Sequence, residues 1–271
     1  MDQLALTPSS TQRIASPTGS IPTRDGLVGT IEARKAIETL GRSLTARERH
    51  VRLMGPPGVG KSLILNHFLQ AFRSPWVKVA IVSGALGEMG VLERLIQVLN
   101  GNLPGDRATA ESLWTMLGQR LRTGRLQGQT IVLAIDDASA LADTPVLARL
   151  AALVSQASTS ATLIEVVRTS PYGMYDDNPD PLAELDQLAF GIHLKPLTRA
   201  EAGLYLRSKH LRPGKVTDFS DAAITALHAL GNGLPRRIDR LAMATLALAE
   251  EQDLTEISSE LVNEVGHALG L

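Results

Sequence analysis

The sequence of 271 residues contains no cysteine. That excludes disulfides, thiolate metal sites and cysteine nucleophiles, and it suits a reducing compartment. Aromatic residues make up only 3% of the chain, so a core has to be assembled mainly from Leu, Ala, Val and Ile. No apolar run reaches the roughly 20 residues that a helix needs to cross a bilayer. The opening MDQLALTPSSTQRIASPTGS lacks the charged-then-apolar layout of a secretory leader, and a cytoplasmic location is expected. The histidines (His50, His67, His193, His210, His228, His267) show no metal-ligand spacing and read as structural or surface residues. A formal net charge of −1 gives no support for non-specific nucleic-acid binding by the whole surface.

What is present is ordinary for a globular chain: 44% apolar and 20% charged residues. The length suits one large domain or two smaller ones. Residues 1–24 are rich in Ser, Thr and Pro without periodicity, and a flexible arm is expected there. Beyond them strand and helix signals alternate. IEARKAIETLGRSL reads as a helix starting near Thr30, HVRLM as a strand and KSLILNHFLQAF as a helix. WVKVAIV follows as a strand, then MGVLERLIQVLN as a helix ended by Gly101, and ATAESLWTMLGQRLRTG as a helix stopped at Gly124. TIVLAI is an apolar run of the kind buried on both faces of a sheet. TPVLARLAALVSQA is a helix with Pro145 in its first turn, TLIEVV a strand, and GIHL a candidate fifth strand. Alternation of this kind predicts a parallel sheet with helices on both faces.

After LKPLT the pattern becomes helical throughout, with no strand signal, which places a boundary near Pro196. Charge is uneven in this part. From Lys195 to Arg240 nine Lys/Arg face four Asp/Glu, whereas Leu241 onward holds six acidic residues and no Lys or Arg. Either complementary surfaces or a few solvated helix faces would produce that asymmetry.

The stretch GPPGVGKS, residues 55–62, joins the HVRLM strand directly to a helix and meets the pattern G-x-x-x-x-G-K-[ST] through Gly55, Gly60, Lys61 and Ser62. Glycine lets the backbone of Gly55, Pro56, Pro57, Gly58, Val59 and Gly60 curl so that N–H groups converge on phosphate oxygens, and the helix N-terminus adds its positive end. Lys61 is expected on the β- and γ-phosphates and Ser62 on Mg²⁺. A metal-bound triphosphate needs a further carboxylate, and TIVLAIDD supplies one at the carboxyl end of a buried strand. Asp136 is the expected magnesium partner through water. Asp137 stands where many such enzymes place a water-aligning Glu, its carboxylate set back by about 1–1.5 Å. The alternative for both is a capping pair opening the next helix.

These residues resemble an AAA+ ATPase, and more closely the ExeA/GspA-type ATPases, which are similar to the transposition regulators TniB, IstB and MuB. The resemblance runs over roughly residues 26–268. Its most specific parts are HLKPLTRAEAGLYL and FSDAAITALHALGNGLPRRIDRLAMATLALA, which resemble the entry to the family's helical lid and the lid motif itself. It implies an α/β P-loop fold with a parallel five-stranded sheet flanked by helices, followed by a small all-α lid. The domains are then an arm at 1–24, a nucleotide-binding domain at 25–195 and a lid at 196–271. It also implies ATP as ligand with Mg²⁺ as cofactor. Arg236 takes the sensor-2 role, reaching the γ-phosphate from the lid, unless it is a solvated helix residue like Arg237 and Arg240. Thr169 falls at sensor 1, where the family more often shows a glycine and a glutamine. Leu27 and Val28 fall in the segment that wraps the adenine, and Leu63 follows the phosphate loop.

Two departures bear on rate. The family's arginine before IHLKPLT, which reaches a neighbouring subunit, is replaced by a stretch with Gln187 near that position. Asp137 stands in place of Glu. Arginine fingers in related enzymes are worth about 10³–10⁵ in rate, so hydrolysis is expected to be slow unless a partner or another arginine (Arg149, Arg168 or Arg199) substitutes. In PYGMYDDNPDPLAEL, Tyr172, Met174 and Tyr175 fit either a partner contact or a solvated loop. The expected activity is slow Mg-dependent ATP hydrolysis coupled to lid movement and to self-assembly or partner binding. The alternatives are a nucleotide-gated adaptor for DNA or protein with little hydrolysis, and a signalling switch of the STAND type, which shares the Asp pair and the GLP turn.

Overall fold

The computed structural model describes residues 29–72, 74–99, 108–156, 158–168, 189–210 and 218–270. The arm at 1–24, Leu27, Val28, Gly101, Thr169, Gln187 and the PYGMYDDNPDPLAEL loop lie outside them. Five strands, β1 (His50–Gly55), β2 (Val77–Ser83), β3 (Thr130–Asp136), β4 (Ala161–Arg168) and β5 (Phe190–His193), form one sheet in the order β2-β3-β4-β1-β5. Every neighbouring pair is parallel. GIHL does supply the fifth strand, at an edge beside β1.

The strands explain themselves by which cluster each side chain enters. In β3, Ile131, Leu133 and Ile135 enter one apolar cluster and Val132 and Ala134 another. Burial on both faces is why this run reads as continuously apolar. On one face lie α1 (Ile31–Thr45) and α2 (Lys61–Ala71), contributing among others Leu40, Leu65 and Phe68. On the other lie α3 (Gly87–Val98), α4 (Ala110–Leu126) and α5 (Val146–Ser155), contributing Leu95, Leu117 and Leu150. Each fully buried leucine contributes about 1.5–3 kcal/mol relative to exposure. Thr30 caps α1, its Oγ1 accepting from the Ala33 N–H at 3.2 Å.

Among the described residues, a third cluster is formed by buried residues from Leu197 to Val265, with Leu269 packed against it. It is built by α6 (Arg199–His210), α7 (Asp221–Gly231), α8 (Pro235–Glu251) and α9 (Ser259–Ala268). Ser220 and Ser258 cap α7 and α9 through the N–H groups of Ala223 and Leu261. Leu234, just before α8, is buried instead in the α1–α2 side of the sheet domain and joins the two parts.

Several local expectations are corrected. Gly124 does not stop α4, which continues to Leu126. A Cβ at Gly124 would lie 2.6 Å from Ile131 Cδ1, so this glycine marks a close helix-to-sheet approach. The chain turns later, at Gly128 with φ +69°. Pro145 precedes the first residue of α5 instead of lying in its first turn. The C-terminal part is not purely helical, since β6 (Asp218–Phe219) and β7 (Glu256–Ile257) pair in parallel. Two-residue strands are too short to leave a periodic signal.

The sheet also buries charge. Arg52 and Glu165 are both fully buried, with Arg52 Nε donating to Glu165 Oε2 at 2.9 Å. His50, also buried, brings Nε2 to 3.0 Å from Glu165 Oε1. His50 is thus set in the sheet interior beside a carboxylate.

Candidate functional site

The loop at residues 55–60 runs from the carboxyl end of β1 into the N-terminus of α2. Its curl depends on glycine where L side chains are strained. Gly58 has φ +84° and Gly60, the residue capping α2, φ +107°. A Cβ at Gly58 would also lie 3.1 Å from Arg236 Cβ. The first turn of α2 presents N–H groups that have no acceptor within the helix, which is the donor set an anion uses. Pro56 closes the curl, its carbonyl accepting from the Val59 N–H at 3.3 Å, while Pro57 is exposed at the rim.

Lys61 is buried and folds back over this loop. Its Nζ donates to the Gly55 carbonyl at 2.6 Å and the Pro56 carbonyl at 3.0 Å. Burial, and after it the nearby Arg168 charge, lowers its pKa from 10.5 to about 8, with Asp136 and Asp137 opposing both. Ser62 Oγ donates to Asp136 Oδ1 at 2.8 Å. The sheet therefore brings together the ends of β1 and β3, although these residues are 74 positions apart. The same Asp136 oxygen accepts from the Asp137 N–H at 3.0 Å.

Asp137 is the first residue past β3 and sits in the left-handed region, φ 55° and ψ 44°. It opens a 3-10 turn, Ala138–Leu141, without capping it by its side chain, so the capping alternative does not describe it. Its Oδ2 takes an ion pair from Arg168 Nη2 at 2.7 Å, and its Oδ1 is buried with no hydrogen-bond partner. Gly84 passes so close that a Cβ there would lie 2.5 Å from the Asp137 carbonyl oxygen. Neither Gly84 nor the Arg168 pair belongs to a sequence motif. In sequence Arg168 stands out only as one of three arginines that could substitute for the missing one.

From the C-terminal part, Pro235 occupies the first position of α8 and Arg236 follows it. The Arg236 N–H donates to the Gly58 carbonyl at 3.2 Å, and its aliphatic stem lies over Gly58. Arg236 is thus a contact between the helical part and the phosphate-type loop, with an exposed side chain. A narrow cleft of about 50 Å³ beside the loop is walled by Val59, Gly60, Leu63 and Ile64 from the α2 side, by Ala33, and by Tyr205 and Pro235. The other two arginines considered as substitutes lie elsewhere. Arg149 pairs with Glu111 at 2.7 Å and stacks over Trp114 at 4.4 Å, and Arg199 donates to Thr225 Oγ1 at 2.7 Å.

The donor set fits a magnesium-bound polyphosphate. Ser62 and Asp136 present the hard oxygens that Mg²⁺ prefers, 2.8 Å apart. Lys61 and the helix terminus supply positive charge, and Asp137 Oδ1 is an unused acceptor beside them. Among the described residues no cluster of three His, Asp or Glu suits a metal ion held by protein alone, and no helix is long and apolar enough to cross a membrane.

Residues 45–170 match the family model described as an AAA domain. No curated protein matches the sequence. Among solved structures, Cdc6p from Pyrobaculum aerophilum is 17% identical with a TM-score of 0.62, covering 92% of this chain and 69% of its own. ORC1 from Aeropyrum pernix, solved in complex with DNA, is 18% identical with a TM-score of 0.65, covering 92% and 67%. The Thermotoga maritima RuvB Holliday junction branch migration motor is 17% identical with a TM-score of 0.55, covering 87% and 69%. The chain thus spans about two thirds of the length of these proteins. It is similar to an AAA domain over residues 45–170 and shares the AAA+ P-loop fold of these structures, a five-stranded parallel sheet flanked by helices with a helical C-terminal region.

Proposed function

We propose that this protein binds ATP with Mg²⁺ at residues 55–63 and hydrolyses it slowly, with nucleotide state read by a lid formed by residues 196–271. The observation that carries the reading is the convergence of Lys61, Ser62, Asp136 and Asp137 at the strand ends, with Arg236 bonded to the loop from α8. In this reading the loop N–H groups and Lys61 hold the phosphates. Ser62 and Asp136 hold the magnesium ion, which when bound supplies charge neutralisation at the phosphates. Asp137 orients the attacking water through its unused oxygen. Arg236 links the loop to α8, so a change at Gly58 is felt by the helical lid. Thr169 and Val28 keep their proposed places at sensor 1 and beside the adenine by resemblance. The nucleotide-binding domain is 25–195, after the arm at 1–24, and a cytoplasmic protein is expected.

A second reading is favoured by a specific observation. The Arg168 ion pair occupies one oxygen of Asp137, which suits a nucleotide-gated adaptor with little turnover. The ExeA/TniB/IstB-type resemblance and the basic residues of the lid segment support self-assembly with DNA or a protein as partner. A phosphate-release assay separates the two readings. Slow release that Mg²⁺ stimulates, that Lys61→Ala abolishes and that Asp137→Glu raises, by up to about a hundredfold through better placement, supports the ATPase. ATP binding without release in either wild type or Asp137→Glu supports the adaptor.

A further inference from the structure

We propose that the amino-terminal end of the sheet carries a second anion site, a cavity fitted to a small phosphorylated molecule with a flat apolar body. The phosphate-type loop lies past the carboxyl end of β1. Val77, Thr130 and Ala161, which line this cavity, are instead the first residues of β2, β3 and β4. The proposal is therefore independent of what the loop binds. The cavity measures about 360 Å³, within the range of small-ligand sites.

Three arginines converge on it from separate elements. Arg47 comes from the turn after α1, Arg49 from the position before β1, and Arg125 from the last turn of α4. Among the described residues, no acidic side chain lines the cavity and no carboxylate pairs with any of the three. Arg49 Nη1 donates to the Thr159 carbonyl at 3.0 Å and the Ala161 carbonyl at 3.3 Å, which fixes it against the wall. Arg47 and Arg125 are exposed. Like charges around one hollow repel each other, and a phosphate dianion relieves that repulsion while accepting from the guanidinium forks.

Arg47 also holds a conformation that its side chain does not favour. Its φ is +60°, in the left-handed region, at a helix end where glycine is the usual occupant. The Arg47 N–H donates to the Leu44 carbonyl at 3.2 Å and the Glu48 N–H to the Ser43 carbonyl at 2.9 Å. Glycine would close the same turn without strain. What the strained residue adds is a guanidinium at the cavity. The remaining lining sets the other end of the ligand. Leu44, Phe72, Val77 and Val132 give it an apolar wall that includes one aromatic ring. Apolar wall and positive rim in one hollow select a molecule with both characters over a bare phosphate.

The test uses the full chain and calorimetric titration with 1-naphthyl phosphate, in wild type and in Lys61→Ala, which silences the loop. Saturable uptake of equal affinity in both is expected, with 1-naphthol and inorganic phosphate each weaker by about tenfold or more. Arg47→Gln and Arg125→Gln should each weaken 1-naphthyl phosphate by about tenfold, the loss of one charge-assisted contact. Neither side chain bonds to another part of the described fold, so both variants should keep the wild-type urea midpoint. Arg47→Gly should unfold at a higher urea concentration than wild type and still bind about tenfold more weakly. A purely structural role for Arg47 would not give that opposition. Absence of saturable uptake, its loss in Lys61→Ala, or unchanged uptake in both Arg47→Gln and Arg125→Gln would overturn the proposal. So would 1-naphthol or inorganic phosphate binding as tightly as the ester.

Discussion

Raising the pH from 7 to 9 should weaken nucleotide binding about tenfold, and the cause is one residue. Lys61 lies buried against the Gly55 and Pro56 carbonyls. Burial, and after it the Arg168 charge, lowers its pKa from 10.5 to about 8, with Asp136 and Asp137 opposing. A phosphate recognises the charged ammonium, so above that pKa the free protein must take up a proton in order to bind. For a group titrating near 8, about nine-tenths is charged at pH 7 and about one-tenth at pH 9. The apparent affinity falls by that ratio. The same shift acts on folding in the opposite direction. Below about pH 8 Lys61 is charged in both folded and unfolded chains, whereas between about 8 and 10.5 the unfolded chain holds more proton and this group's contribution to stability rises. Weaker binding at pH 9 is therefore not loss of structure at this residue. Titration of labelled nucleotide at pH 7, 8 and 9, with Lys61→Arg as the permanently charged control, measures the effect. A wild-type affinity that is flat across this range would refute the reasoning.

Two further outcomes follow from particular contacts. Glu165→Ala removes the carboxylate that both Arg52 and His50 face in the sheet interior; breaking a buried pair from one side costs about 3–5 kcal/mol, to be read as a drop in the urea midpoint. Arg236→Ala is expected to keep the backbone bond to Gly58, which uses only its N–H. It should therefore lower phosphate release by about 10²-fold or more, as loss of a preorganised donor does, while ADP affinity stays within about threefold. An equal loss of ADP binding would assign Arg236 to the loop's shape instead of the terminal phosphate.

The phosphate-type loop was legible because its whole signal lies within residues 55–62, and local strand-turn-helix context is all it needs. The TIVLAIDD strand was legible because burial on both faces leaves an unbroken apolar run before two acids. Pairings across the sheet were not. Arg168 and Asp137 are 31 residues apart and Arg52 and Glu165 113 apart, and both pairs depend on register, which one sequence does not specify. Gly124 was misread because a glycine that lets a helix approach a sheet looks the same in sequence as one that ends a helix. Arg236 was legible only through the Gly-Leu-Pro-Arg turn. Its contact with Gly58 required the helical part to fold back over the loop.

The central claim is that the main-chain curl at residues 55–62, with Lys61, grips a polyphosphate. Calorimetric titration of ATP with Mg²⁺ into wild type and Lys61→Ala tests it most directly. Saturable uptake by wild type, lost in a Lys61→Ala variant that still unfolds cooperatively, is the predicted result. No heat of uptake by folded wild type, or equal uptake by the variant, would contradict the account.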